Sequence, residues 1–475
     1  SLHLNIPEKF LTIWIFELNI TDHDIKQRRE LAHILNPSID FGLIFIPNQA
    51  SLLQYLINKH IRSEIRSDII VLGQEFVKDI AHAPNPQLTL TDAILREVEL
   101  TRISPFMAGG ASFVPRMFFG REGEIKNIGE AIKTTSVIIS CGRRMGKTML
   151  LRRLAQVTLS DNQYNCYFLN CLPIHNYHDL LSEMITAWNQ PDLSFDPEHP
   201  NSFADVAQSL TSDNSSLPIF LLDEVDELFY FDSKNQWRLA KQLRTLSQDG
   251  RARFIMTGEH ALQRFVHDAD SPFFNFFGYN LELSFLSYQA SNRLIEEPFK
   301  EMHIGFEEPI PMISTIQIAT SGHPYLVQRL CQGLVQSINR ANSRVIIPEN
   351  IENVLNDPHY QDDYFETVWG QAPVLARIIT LFLGTKSMTM NEIRQRLNDY
   401  GLQPTLTEIS ESLEVLDLYS VVTRKRGQYS FIATAFPDMV RRAYGDDIEI
   451  NIELLCEEYT WQQQDSNTKG LWPQM

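Results

Sequence analysis

Two kinds of apolar pattern alternate along the first 80 residues. LTIWIFEL (11–18), FGLIFIP (41–47) and DIIVLG (68–73) are short continuous apolar runs, which read as strands covered on both faces. IKQRRELAHIL, ASLLQYLINKHI and QEFVKDIAHA carry apolar residues three and four apart, which reads as helices. The alternation predicts an α/β module with parallel strands over residues 1–100. Prolines and glycines in APNPQ and ISPFMAGGASFVP then mark a linker, 101–117.

The same patterns recur with chemistry attached. Val137-Ile138-Ile139-Ser140 reads as a buried parallel strand, and Met149, Leu150 and Leu154 recur at helical spacing after it. Between them lies CGRRMGKT, which matches the phosphate-loop pattern G-x-x-x-x-G-K-[ST] except that Cys141 stands in the first place. A loop feeding a helix N-terminus offers several unpaired backbone N–H groups to a polyphosphate. Gly146 lets the backbone approach, Lys147 adds a point charge for the β- and γ-phosphates, and the Thr148 hydroxyl is a magnesium ligand. Cys141 is compatible with a negative φ, and Gly142 is expected to supply any positive φ the turn needs.

A second run, Ile219-Phe220-Leu221-Leu222, is apolar at every position and ends in Asp223 and Glu224. Two acids at the carboxyl end of a parallel strand face the ligand crevice of a doubly wound sheet. Asp223 is therefore expected to hold magnesium through water, and Glu224 to polarise the attacking water. About 75 residues separate the two motifs, room for the crossovers of a parallel sheet. Taken alone, DEVDE reads better as a solvated helix N-terminus favoured by the helix dipole; the loop upstream is what gives it a catalytic reading.

Composition narrows the class. A chain of 475 residues predicts about three domains, and no apolar run reaches the roughly 18 residues of a membrane span. Five cysteines without CxxC pairing indicate neither zinc nor a disulfide framework, no cleavable signal pattern opens the chain, and a reducing cytoplasm is expected. His23, His33, His60 and His82 read as surface or packing residues. The net charge of −18 argues against a nucleic-acid coat.

FFGREGEIKNIGEAI (118–132), followed by the GxRRxGKT-like loop, resembles the entry segment of the STAND and archaeal-type signalling ATPases of the AAA-like P-loop class. Agreeing with this are the hhhhDExDEL strand, RARFIMTGEHAL (251–262) with a polar sensor at Thr257, and SGHPYLVQRLC (321–331), similar to the GxP element of a helical lid. APVLARIITLFLG onward resembles a winged helix, with a two-stranded wing turning at Arg426-Gly427. The resemblance spans about 113–442 and implies a P-loop core at 118–285, a lid at 286–360 and a winged helix at 361–442, leaving an acidic tail at 443–475. That tail, with seven acids and one lysine, reads as a partner peptide or a frayed end.

By the resemblance, Phe119, Gly120 and Arg121 lie near adenine and ribose, Pro324 touches the base from the lid, and Gly142, Arg143, Arg144, Met145, Gly146, Lys147, Thr148 and Met149 form the phosphate cradle. Catalytic roles fall to Lys147, Glu224 and Thr257, and magnesium to Thr148 and Asp223. The implied function is an ATP/ADP switch with magnesium that oligomerises in its ATP form and acts on a protein effector, in relatives often within prokaryotic conflict systems. Glu259 stands where several STAND relatives carry arginine, which implies slow hydrolysis unless Arg244, Arg251 or Arg253 substitutes.

The competing readings are a DNA-bound ATPase of the origin-recognition or transposition-regulator type and a scaffold that binds nucleotide without turnover. The would-be reading helix TEISESLEVLDLY carries Glu408, Glu411, Glu414 and Asp417 and no basic residue, with Ile409, Leu413 and Leu416 as its buried stripe. Only Arg424-Lys425-Arg426 remains for phosphates, so the switch is preferred.

Overall fold

The computed structural model describes residues 11–14, 41–46, 68–86, 89–90, 99–106, 115–157, 164–188, 195–199, 201–211, 216–369, 372–384, 386–431, 435–444 and 448–469. The chain divides into two compact units: one holds residues 1–107, 296–309 and 331–350, the other 108–295, 310–330 and 351–475.

In the first unit β1 (Leu11–Trp14), β2 (Phe41–Ile46) and β3 (Asp68–Gly73) form a parallel sheet in that order, with Leu11 opposite Gly42 and Phe41 opposite Asp68. Helix α1 (Gln74–His82) follows β3. The two helices expected between these strands, with His23, His33 and His60, lie outside the described residues. Residues 101–106 do more than link. Ile103 and Phe106 are buried, Phe106 packs 4.8 Å from Phe299, and the Leu100 amide donates to Asn339 Oδ1 at 3.0 Å. Proline and glycine punctuation showed a break in pattern but could not show which distant apolar residues the segment would meet.

The second unit is built on a five-stranded parallel sheet flanked by helices. After α2 (Glu122–Ala131) come β4 (Ser136–Ser140), α3 (Lys147–Val157), β5 (Tyr164–Asn170), α4 (Tyr177–Ala187), α5 (Ser202–Thr211) and β6 (Leu217–Asp223). Then follow α6 (Asp226–Lys234), α7 (Arg238–Gln248), β7 (Arg253–Gly258), α8 (His260–His267) and β8 (Phe277–Glu282). The spatial order is β5-β6-β7-β4-β8, every pairing parallel.

The strand periodicity of two explains the continuous apolar runs. Val137, Ile139, Ile219, Leu221 and Ile255 enter one core with Ile128, Leu150, Leu151 and Leu154 of α2 and α3. Ile138, Phe220, Leu222, Phe254 and Met256 enter the other, with side chains of α4 to α7. Both faces are covered, so neither register position is free to be polar until the strand ends at Asp223. The crevice therefore opens at the carboxyl ends of β4, β6 and β7.

Beyond the sheet run α9 (Tyr288–Glu301), β9 (Gly305–Phe306), α10 (Pro309–Thr320), α11 (Pro324–Arg340), β10 (Val345–Ile346), α12 (Pro348–Leu355) and α13 (Pro358–Trp369). Three further helices follow, α14 (Val374–Leu383), α15 (Met390–Asp399) and α16 (Leu406–Leu418). With them is a small antiparallel sheet of β11 (Met388–Thr389), β12 (Val422–Lys425) and β13 (Gln428–Phe431), in the order β11-β13-β12. Capping boxes Thr389/Glu392 and Thr405/Glu408 start α15 and α16. The hairpin turns where Arg426 (φ 52°) and Gly427 (φ 82°) both adopt positive φ, which suits the right-handed twist of its strands. Ile409, Leu413 and Leu416 are buried, as the spacing on α16 predicts.

In the described part of the acidic end, α17 (Phe436–Tyr444) is followed by α18 (Ile448–Lys469), which packs on α14 and buries Ile452 and Cys456. These residues form a helix, in which a sparse stripe of apolar side chains covers a helix face.

Candidate functional site

The loop between β4 and α3 takes its turns at Arg144 (φ 57°) and Gly146 (φ 90°), not at Gly142. Cys141 sits without left-handed strain and is buried in the core, where burial pushes its thiol up to about 11 and keeps it neutral. Gly142 is required for a different reason from the expected one: a Cβ there would lie 3.0 Å from Tyr419 Cα, beyond the end of α16. The Gly142 amide donates to the Leu418 carbonyl at 3.1 Å.

Lys147 is 4% exposed, and its ammonium donates to the carbonyls of Cys141 and Gly142, both at 3.4 Å. Glu259 Oε1 lies 3.6 Å from Lys147 Nζ and 3.5 Å from Arg143 Nε. Burial opposes the charge on Lys147, yet Cys141, Glu259, Asp226 and Glu224 around it raise its pKa above the ordinary amine value.

Asp223 is the hub. Its Oδ2 accepts from Thr148 Oγ1 at 2.6 Å, and its Oδ1 from Thr257 Oγ1 at 2.5 Å. The Thr257 hydroxyl in turn accepts the Glu224 amide at 3.0 Å, and the Thr257 carbonyl accepts the Val225 amide at 3.0 Å. Glu224 is thereby held at φ 55°, an uncommon conformation for a residue with a Cβ. Burial raises its pKa, and the neighbouring acids add to the effect against Lys147. Asp226, which the sequence reading left unassigned, accepts the amides of Glu259 (2.7 Å) and Leu262 (2.9 Å), fixing the start of α8.

The remaining sequence candidates fall into four groups. Met145 is buried in the core and Met149 is partly buried on α3, so both act from below the loop. Arg144 turns outward: its guanidinium stacks 4.3 Å from the Tyr325 ring and donates to Thr367 Oγ1 (3.1 Å) and Glu366 Oε1 (3.2 Å). It ties the loop to α11 and α13.

In the third group, Phe119 and Gly120 lie against α9, and Arg121 bonds just ahead of it. Phe119 is buried under Arg293, and a Cβ on Gly120 would strike Ala290 Cβ at 2.7 Å. Arg121 donates to the Ser284 carbonyl at 2.5 Å and to Glu124 at 3.1 Å. Pro324 opens α11, next to the buried His323, whose imidazole burial pushes down to about 3.

A cavity of about 750 Å3 adjoins this crevice. Arg143, Glu224, Asp226, Glu227, Glu259 and Arg264 wall it from the sheet side, and Glu408, Glu411, Ser412, Val415 and Tyr419 from α16. Glu408 Oε1 also accepts from Tyr459 OH (3.2 Å) and Gln463 (3.0 Å) of α18. Two of the acids on α16, Glu408 and Glu411, thus face the cavity, and Glu408 also meets the tail helix. The spacing showed that they share the polar side of α16 but not what that side meets.

No protein-family model matches this sequence, and comparison with curated proteins finds no match. Among solved structures, the Walker-type ATPase PABY2304 of Pyrococcus abyssi superposes with a TM-score of 0.53 at 15% identity, covering 71% of this chain and 99% of that one. The Aeropyrum pernix ORC2 protein, in ADPNP and ADP complexes, gives 0.49 at 14% identity over 73% of this chain and 96% of its own. The Aeropyrum pernix ORC1 protein in complex with DNA gives 0.41 at 15% identity, with 73% and 97% covered. The chain has the fold of a Walker-type P-loop ATPase. Among the described residues no helix is long and apolar enough to cross a membrane.

The residues present fit a nucleotide and magnesium. A buried ammonium whose acceptors all lie at 3.4 Å or beyond is under-used as a donor, and a polyphosphate would supply closer ones. A hydroxyl and a carboxylate side by side, Thr148 and Asp223, are the hard oxygen ligands magnesium prefers, completed by phosphate and water.

Proposed function

We propose that this protein binds ATP and ADP with magnesium and works as a nucleotide-driven switch with slow hydrolysis. The observation that carries it is the junction at Asp223, where one carboxylate meets the hydroxyl that follows the loop lysine and the hydroxyl at the end of β7. Such a junction at the mouth of a parallel sheet connects the metal ligand, the strand that presents Glu224 and the strand end that polar sensors occupy in the resembled class. Lys147 neutralises the β- and γ-phosphates, Glu224 orients and deprotonates the attacking water, and Thr257 keeps Glu224 and Asp223 in register. Thr148 and Asp223 would hold magnesium, which would supply charge stabilisation when bound.

Lid and winged helix close over the nucleotide in this reading, and the chain oligomerises in its ATP form to act on a protein effector of the STAND type. What supports a switch is that α16 touches the phosphate loop directly, through Leu418 and Gly142, so a change at the loop is felt by the C-terminal helices. A second reading, a DNA-bound ATPase of the origin-recognition type, is favoured by Arg424, Lys425 and Arg426 on the hairpin. The acids on α16 weigh against it.

Identification of the nucleotide released from denatured purified protein, combined with its solution size in ADP and in a non-hydrolysable ATP analogue, tests the reading. Bound adenine nucleotide and a larger species with the analogue are expected. A protein that binds neither nucleotide overturns it.

A further inference from the structure

Glu259 immediately precedes α8, its backbone amide held by Asp226, and its carboxylate is partly buried. It stands 3.6 Å from Lys147 Nζ and 3.5 Å from Arg143 Nε, and it shares the wall of the cavity with Glu224. Glu259 thus sets a carboxylate between the loop lysine and an arginine, on the side of Glu224, the kind of pairing a terminal phosphate would seek. We propose that Glu259 is a built-in surrogate for that phosphate, so that the site takes a nucleoside diphosphate in preference to a triphosphate. This inference rests on the nucleotide-binding reading above and adds its selectivity.

The physical case is one of charge. A diphosphate engages the loop amides and the helix N-terminus, and Lys147, with three N–H donors, can hold a β-phosphate while keeping Glu259. A third phosphate brings more negative charge to within a few ångströms of the carboxylate, in a crevice that also holds Glu224 and Asp226. Like charges juxtaposed in this way disfavour the larger ligand. For a triphosphate to seat, Glu259 must leave both cations. Arg143 is then released on the side where the new phosphate arrives, which makes it the arginine that pairs with it.

The test is titration calorimetry of the full-length protein with ADP and with a non-hydrolysable ATP analogue, in magnesium. The wild type is expected to prefer ADP by about tenfold or more, the size of effect one close like-charge contact produces. Glu259→Gln, which keeps the side-chain shape, should bring the two affinities within about threefold of each other by gain for the analogue. Glu259→Asp should keep the preference, and Arg143→Ala in the Glu259→Gln background should lower the analogue's affinity by a larger factor than it lowers that for ADP, cancelling the analogue's gain. Melting temperatures of the variants check that each is folded.

Equal shifts for both nucleotides in Glu259→Gln, or no shift, overturn the proposal. So does a wild type that binds both equally while Lys147→Ala binds neither, an outcome that leaves the nucleotide-binding reading intact. A wild type that binds neither nucleotide overturns both.

Discussion

The carbonyl of Leu418, the last residue of α16, accepts a hydrogen bond from the amide of Gly142 in the phosphate loop at 3.1 Å, although 276 positions separate them in the sequence. Tyr419 packs so closely on Gly142 that a Cβ there would lie 3.0 Å from Tyr419 Cα. The phosphate loop and the C-terminal helices are therefore one mechanical unit, and a disturbance of either is transmitted to the other.

Gly142→Ala should break that unit selectively. The added methyl meets Tyr419 at 3.0 Å, overpacking worth about 1–3 kcal/mol. Hydrogen exchange of residues 406–419 is expected to speed up while exchange of β6 and β7 stays slow. Unchanged exchange in α16 would mean the contact carries no strain to the helix.

Lys147→Ala should reduce nucleotide affinity by at least about a hundredfold, because it removes the buried ammonium aimed at the β- and γ-phosphates. Cys141→Gly should leave nucleotide affinity within about threefold but cost about 1–3 kcal/mol of stability, since a buried thiol is lost and backbone freedom gained. Calorimetry and denaturant melts separate the two effects.

At the ends of β6 and β7 the roles should divide. Glu224→Gln is expected to keep ATP and magnesium and lose turnover, Asp223→Ala to weaken binding in magnesium more than without it. Thr257→Val leaves the Glu224 amide without its acceptor and should cost about 1–3 kcal/mol as well as turnover. Equal loss of nucleotide binding in the first two variants would make this strand end structural only.

His323 predicts a pH dependence of stability. Burial depresses its folded pKa to about 3, below the 6.5 of an unfolded chain, so between these values the unfolded chain binds the extra proton. Stability is fully present above pH 6.5 and is lost as pH falls toward 3. His323→Asn should flatten the decline of urea midpoint between pH 6.5 and 4.5; an identical decline assigns it to other groups.

Glu408→Gln, Glu411→Gln and Glu414→Gln together should shift the oligomer distribution or the hydrolysis rate while leaving duplex affinity weak. Glu408 holds Thr405, Tyr459 and Gln463 at once, so its replacement loosens both the start of α16 and the docking of α18. A hairpin with three basic residues neutralises at most about three phosphates, too few for tight binding at about 0.15 M salt. Tight, sequence-dependent duplex binding by the wild type would favour the DNA-bound reading.

What the sequence determined by itself was local. Runs apolar at every position had to be strands covered on both faces, and Gly146, Lys147 and Thr148 after such a strand marked a turn into a helix N-terminus, because each rests on periodicity or on backbone freedom within a few residues. The tertiary structure alone decided what those groups meet. It turned Arg144 away from the loop toward Tyr325, gave Gly142 a packing role against Tyr419, set Glu259 beside Lys147, and laid an acidic tail along α14. These are contacts between segments far apart in the chain, fixed by which helix faces were left to bury once the parallel sheet was covered, and no spacing within a single segment encodes them.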